Sequence, residues 1–169
     1  MTNTDIDLWP EINLNENNDV PLTILNQQSE KLSQKTNGLI LGDVVTRSHK
    51  TYIFHTLYLV APHLDDYRYS LLSVAHSVLP YPVFIYNHNP ENKDVIKVKT
   101  KVNPLIAFTR ALNQEIILSE DSVPKPQSEA NNKEEFIREI SKILKSKETI
   151  TVLNSLMIQS KQNQSALAE

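Results

Sequence analysis

Ser73, Ser77 and His76, with Asp65 upstream, are the residue types of a hydrolytic triad. In such a triad an imidazole takes a proton from a serine and a carboxylate orients the imidazole. The serine of that chemistry is commonly displayed on a sharp turn between glycines, and no Gly-x-Ser-x-Gly is present. The histidines His49, His55, His76 and His88 show neither the i, i+4 nor the cysteine-paired spacing of a zinc site. His55 stands inside an apolar run and reads as a satisfied sheet histidine. A different chemistry is offered by Lys93, Lys97, Lys99 and Lys101. A row of ammonium groups neutralises phosphates, and Tyr67 or Tyr69 can stack on bases, as in single-strand nucleic-acid binders. The net charge of −3 weighs against nucleic acid as the partner, and an edge strand that keeps its lysines in water accounts for the same row.

Directly after an apolar run comes His63-Leu64-Asp65-Asp66. This resembles the His-x-Asp-Asp signature of the zinc-dependent deacetylases that act on N-acetylglucosaminyl lipids and related sugars. The resemblance implies His63 and Asp66 as zinc ligands and Asp65 as general base, with the metal lowering the pKa of a bound water. It covers four or five residues of the chain. In that family the motif lies near the chain start, whereas about 60 residues precede it here. A glycine-containing segment normally follows, whereas Tyr67-Arg68-Tyr69 follows here, and no histidine comes after His88 to act as the further ligand. The plainer account of the motif is a polar turn between strands, in which Asp65 and Asp66 bond their own backbone. We carry that account forward and expect no cofactor.

Only two glycines occur, Gly38 and Gly42. Phosphate-cradling loops need several, so neither a Walker loop nor a dinucleotide fingerprint can be written. The chain has no cysteine, which removes thiolate chemistry and a disulfide framework. Asp5 and Asp7 stand where a signal peptide carries positive charge, and the longest apolar run, Tyr52 to Ala61, is too short to span a bilayer. A soluble protein of the cytoplasm is expected, with no membrane partner.

These residues must be positioned by a fold, and the pattern specifies one. All six tyrosines fall in the 35 residues from Tyr52 to Tyr86, together with Phe54 and Phe84. Aromatic and β-branched residues suit a pleated, half-buried surface, so this window is expected to be sheet. Leu39 to Thr46 and Thr51 to Ala61 read as a hairpin about a polar turn at Arg47–Lys50. Tyr52, Phe54, Tyr58 and Val60 share one face of the second strand; Ile53, Leu57, Leu59 and Ala61 share the other. Both faces are apolar, which calls for cover on both sides or for an interface. Tyr67 to Val78 is read as a third strand, with a helix as the competing reading, and Val83 to Tyr86 as a fourth beyond the corner Leu79-Pro80-Tyr81-Pro82. Asp94 to Val102 alternates Ile96, Val98 and Val102 with the lysines and reads as an edge strand.

Helical spacing appears in three places. Pro21 precedes Leu22, Leu25, Gln28 and Leu32, with Asn37-Gly38 as the stop. Pro104 opens the pattern Leu105, Phe108, Leu112 and Ile116. After a loop or linker over 119–131, Asn132 and Glu135 form a variant capping box ahead of Phe136, Ile137, Ile140, Ile143 and Leu144. A second stripe, Ile150, Leu153, Leu156 and Met157, follows an interruption at 146–148. The expectation is a single α+β domain over 21–162: an antiparallel meander of four to five strands, an N-terminal helix and C-terminal helices. Residues 1–20 are expected as a disordered or loosely docked tail around Leu8, Trp9, Pro10 and Ile12, and residues 163–169 as a frayed end.

For function, the expectation is a non-enzymatic interaction protein: an adaptor, an antitoxin- or immunity-like partner, or a subunit of a larger assembly. Trp9, Tyr67, Tyr69, Tyr81 and Tyr86 are the contact candidates, since tyrosine and tryptophan suit binding faces. The partner is expected to be another protein or a second copy of the chain.

Overall fold

In the computed structural model, which describes residues 20–49, 51–88 and 126–166, helix α1 spans Pro21–Lys35. Pro21 occupies the first turn, where a missing N–H costs no hydrogen bond and a fixed φ favours entry. Ile24 and Leu25 form the buried stripe of α1. Asn37 and Gly38 end the helix at φ 50° and 75°, the left-handed region that glycine and asparagine tolerate best. The buried Thr36 hydroxyl fastens the exit, lying 2.7 Å from the Ile40 carbonyl and 3.2 Å from the Ile40 N–H.

Five strands follow: β1 (Leu41–His49), β2 (Tyr52–Ala61), β3 (Tyr67–His76), β4 (Val83–Asn87) and β5 (Ser128–Ala130). They are antiparallel and lie side by side in chain order. Short connections among the first four permit only antiparallel neighbours. Helices α2 (Lys133–Leu144) and α3 (Lys147–Ala166) complete one α+β domain.

The core lies between one sheet face and the helices. Leu57, Leu59 and Ala61 of β2 meet Ile24 and Leu25 of α1, Phe136 and Ile140 of α2, and Leu156 of α3 in one cluster. Phe136 is fully buried, a stabilisation of roughly 2–3 kcal/mol relative to an exposed ring. Helix α1 approaches β1 so closely that a methyl group at Gly42 would lie 2.3 Å from Ser29 Oγ and 2.6 Å from Ser29 Cα. Asn132 caps α2 by accepting from the Glu135 N–H at 2.9 Å. The Glu135 carboxylate reaches back to the Asn131 N–H at 2.8 Å, so the box closes one residue further out than its usual form.

Several details differ from the sequence expectation. Arg47, Ser48 and His49 are not a turn but the end of β1, paired with Phe54, Ile53 and Tyr52. Ladder hydrogen bonds along an apolar neighbour outweigh the weak strand preference of these side chains. Residues 67–76 are strand, which settles the competition with helix. Within the expected loop over 119–131, Ser128–Ala130 pair with β4, which would otherwise leave its outer ladder groups unpaired. Helix α3 continues past residue 162 to Ala166, and Asn163 Nδ2 donates to the His63 carbonyl at 3.0 Å. The strand expected over 94–102, the helix after Pro104 and the segment 1–19 lie outside the described residues. Among the described residues no helix is long and apolar enough to cross a membrane.

Candidate functional site

Side chains alternate along a strand, so the second face of β2 carries Tyr52, Phe54, Thr56, Tyr58 and Val60. Register brings β4 aromatics to the same face. Phe54 stands beside Ala75, and Ala75 beside Phe84; Thr56 stands beside Ser73, and Ser73 beside Tyr86. The Tyr52 ring lies 6.5 Å from Phe54 and 6.3 Å, edge-on, from Phe84. Offset and edge contacts of this kind are the favoured ones for aromatic rings. Tyr52 is 42% exposed, and Phe54, Tyr58, Phe84 and Tyr86 are partly exposed. None of these five belongs to the core cluster, to which all three described helices contribute from the opposite face.

One end of this face is charged. The Arg68 guanidinium lies 4.8 Å above the Tyr58 ring and donates to the Asp43 carboxylate. The cation–π contact and the ion pair together hold the Tyr58 ring in place. At the centre Thr56 Oγ1 and Ser73 Oγ are 2.6 Å apart, and Ser73 Oγ is 2.7 Å from His88 Nε2. Burial holds His88 below the usual imidazole range. The Tyr86 phenol is pushed up by burial and then by Tyr52, so it keeps its proton and remains a donor. Aromatic area with phenol hydroxyls and the Arg68 guanidinium suits contact with a polypeptide surface.

The Ser73–His88 distance is short enough for proton transfer, but its setting is that of a cross-tie. Ser73 is buried in the middle of β3, with its hydroxyl engaged by Thr56 on one side and His88 on the other. Ser73 and His76 point to opposite faces because they stand three positions apart along one strand. Asp65 precedes β3 and His76 ends it, roughly 30 Å away along an extended strand. The triad types therefore do not assemble.

His76 instead forms a buried pair with His55, Nε2 to Nε2 at 3.0 Å. Its Nδ1 lies 2.6 Å from the Ser77 carbonyl and 3.2 Å from the Leu79 carbonyl, so that nitrogen carries a proton. His55 Nε2–H then donates to His76 Nε2, and His55 Nδ1 accepts from the Thr46 hydroxyl at 2.8 Å. Each ring nitrogen is satisfied with both rings neutral. Burial first, and the neighbouring His76 second, lower the His55 pKa to about 4. Two charged rings would set two N–H groups against each other across this gap.

At His63-Leu64-Asp65-Asp66 a single 3-10 turn over Pro62–Leu64 leads into Asp65 and Asp66 at φ 53° and 55°. Two successive left-handed residues reverse the chain into β3, and aspartate tolerates that conformation. Both aspartates are exposed. Among the described residues no three His, Cys, Asp or Glu side chains are grouped to hold a metal ion. Elsewhere, a cavity of about 620 Å³ between α1 and α2 has a floor of Leu57, Leu59 and Leu71 and an edge that includes Lys31, Lys35 and Lys145.

Of the contact candidates read from sequence, Tyr86 lies on the aromatic face. Tyr67 and Tyr69 stand opposite Ala61 and Leu59, on the helix-covered side. Tyr69 and Tyr81 pack against the core, while Tyr67 is 49% exposed at the sheet end. Trp9 and Lys93, Lys97, Lys99 and Lys101 lie outside the described residues. Tyr52, Phe54, Tyr58 and Phe84 complete the face and were not among the candidates. The alternation along β2 carried the signal for the first three. No family model, curated protein or solved structure matches the chain.

Proposed function

We propose that the protein is a non-enzymatic interaction module that docks another polypeptide on the aromatic face of its sheet. The observation that supports this reading is the set Tyr52, Phe54, Tyr58, Phe84 and Tyr86, gathered on one face outside the core cluster. Large aromatic side chains outside the core of the described residues favour association, because covering them removes apolar area from water. Tyrosine is also enriched among the residues that dominate the energetics of such contacts, and phenylalanine adds a large buried area. A cytoplasmic adaptor, an immunity-like partner or a subunit of a larger assembly would each use a surface of this kind.

Capture from the native cell tests the reading when wild type is compared with Phe84→Ser and Tyr52→Ser. These residues lie outside the core cluster, so both variants are expected to fold. A polypeptide retained by wild type and lost by at least tenfold with either variant is the expected result. Equal retention by all three proteins would refute docking on this face.

A further inference from the structure

The strand β1 ends the order of the described sheet and is nine residues long. A strand in that position presents N–H and C=O groups outward at every second residue, a template for another strand. Thr46, Arg47 and Ser48 are exposed along it. We propose that a second copy of this chain occupies the edge, Leu41–His49 pairing with itself antiparallel about Val45. This reading concerns the edge of the sheet and stands apart from what docks on its aromatic face.

Charge selects the register. Residues opposite each other in an antiparallel pair must share a face, so whole registers differ by steps of two residues. Centred on Val45, all nine residues find partners, and Asp43 stands opposite Arg47 of the second copy, twice by symmetry. Centred on Asp43 or on Arg47, like charges meet directly and only five residues overlap. Centred on Val44 or Thr46, the ladder is shorter and neither charge meets its opposite. Asp43 uses Oδ2 for Arg68, and its side chain is 46% exposed, which leaves Oδ1 for a second guanidinium. The arrangement is isologous, with one patch meeting itself about a two-fold axis. It sets the two aromatic faces on the same side of one continuous sheet.

The absence of cysteine makes the test clean. Opposite Cα atoms in an antiparallel pair are roughly 4.5–5.5 Å apart, within the reach of a disulfide. Val45→Cys lies on the proposed axis and is expected to close a symmetric disulfide under mild oxidation. Ser48→Cys is the control, since each copy would lie roughly 20 Å from its mate while the Asp43–Arg47 pairs are kept. Wild type is expected to sediment at twice the chain mass of 19.3 kDa. Arg47→Glu should weaken the dimer tenfold or more, and Arg47→Lys, which keeps the charge, should weaken it much less. A monomer at the highest soluble concentration would overturn the proposal. So would a dimer in which Val45→Cys cross-links no faster than Ser48→Cys.

Discussion

Acidification through the ordinary imidazole range is expected to destabilise the protein, and His55 sets the size of the loss. Its pKa in the folded state is about 4 against an ordinary 6.5. Between those values the unfolded chain binds a proton that the folded chain refuses. The contribution is therefore whole above pH 6.5 and falls away as the pH drops towards 4. The difference corresponds to roughly 3 kcal/mol, a large share of the 5–15 kcal/mol or so that holds a typical domain. His88, lowered by burial, acts in the same direction. The carboxyls of Glu135, Glu139 and Glu148 are held below their ordinary value chiefly by hydrogen bonds, so their losses belong to more acidic solution. Urea unfolding at a series of pH values from neutral down to the ordinary carboxylate range reads the slope, and the histidine resonances read the site. His55→Gln cannot take up the proton, so its stability should vary much less over this range. A wild-type stability flat between pH 6.5 and 5, or a His55 resonance titrating at its ordinary value, would refute the reasoning.

Other consequences follow from close packing and backbone geometry. Gly42→Ala puts a methyl group against Ser29 and should cost roughly 1–3 kcal/mol in urea unfolding. Asp66→Val should cost roughly 1–2 kcal/mol because a β-branched residue resists positive φ, while Asp66→Gly should cost nothing. Phe136→Ala should lose roughly 3–5 kcal/mol by the same assay, since the ring is fully buried.

The elements were legible where a period ran long enough to be read. Tyr52 to Ala61 alternates over ten residues, so both the strand and the division of its side chains followed from spacing. Asn132 and Glu135 announced the start of α2 because capping is local chemistry. Ser128–Ala130 was not legible, since three residues after a proline-rich stretch show no period; pairing with β4 makes them a strand. Which face Tyr67 and Tyr69 would take was not legible, for one physical reason. Leu57 pairs with Leu72 but Tyr58 pairs with Ser70, so Leu71 is an extra residue in β3. A bulge of one residue exchanges the faces of every side chain beyond it. Tyr67 and Tyr69 therefore lie on the helix-covered side, although they share odd numbering with Ser73 on the aromatic side. Where the chain reverses also depends on pairing, which is how the polar Arg47 and Ser48 became strand.

The central claim is that the aromatic face is where this protein meets its partner. A photoreactive phenylalanine analogue placed at Tyr86, and at Lys142 on α2 as the control, tests it directly in the native cell. The account predicts a discrete adduct to one polypeptide from position 86 and none from position 142. No adduct from position 86, or the same adduct from both, would contradict it.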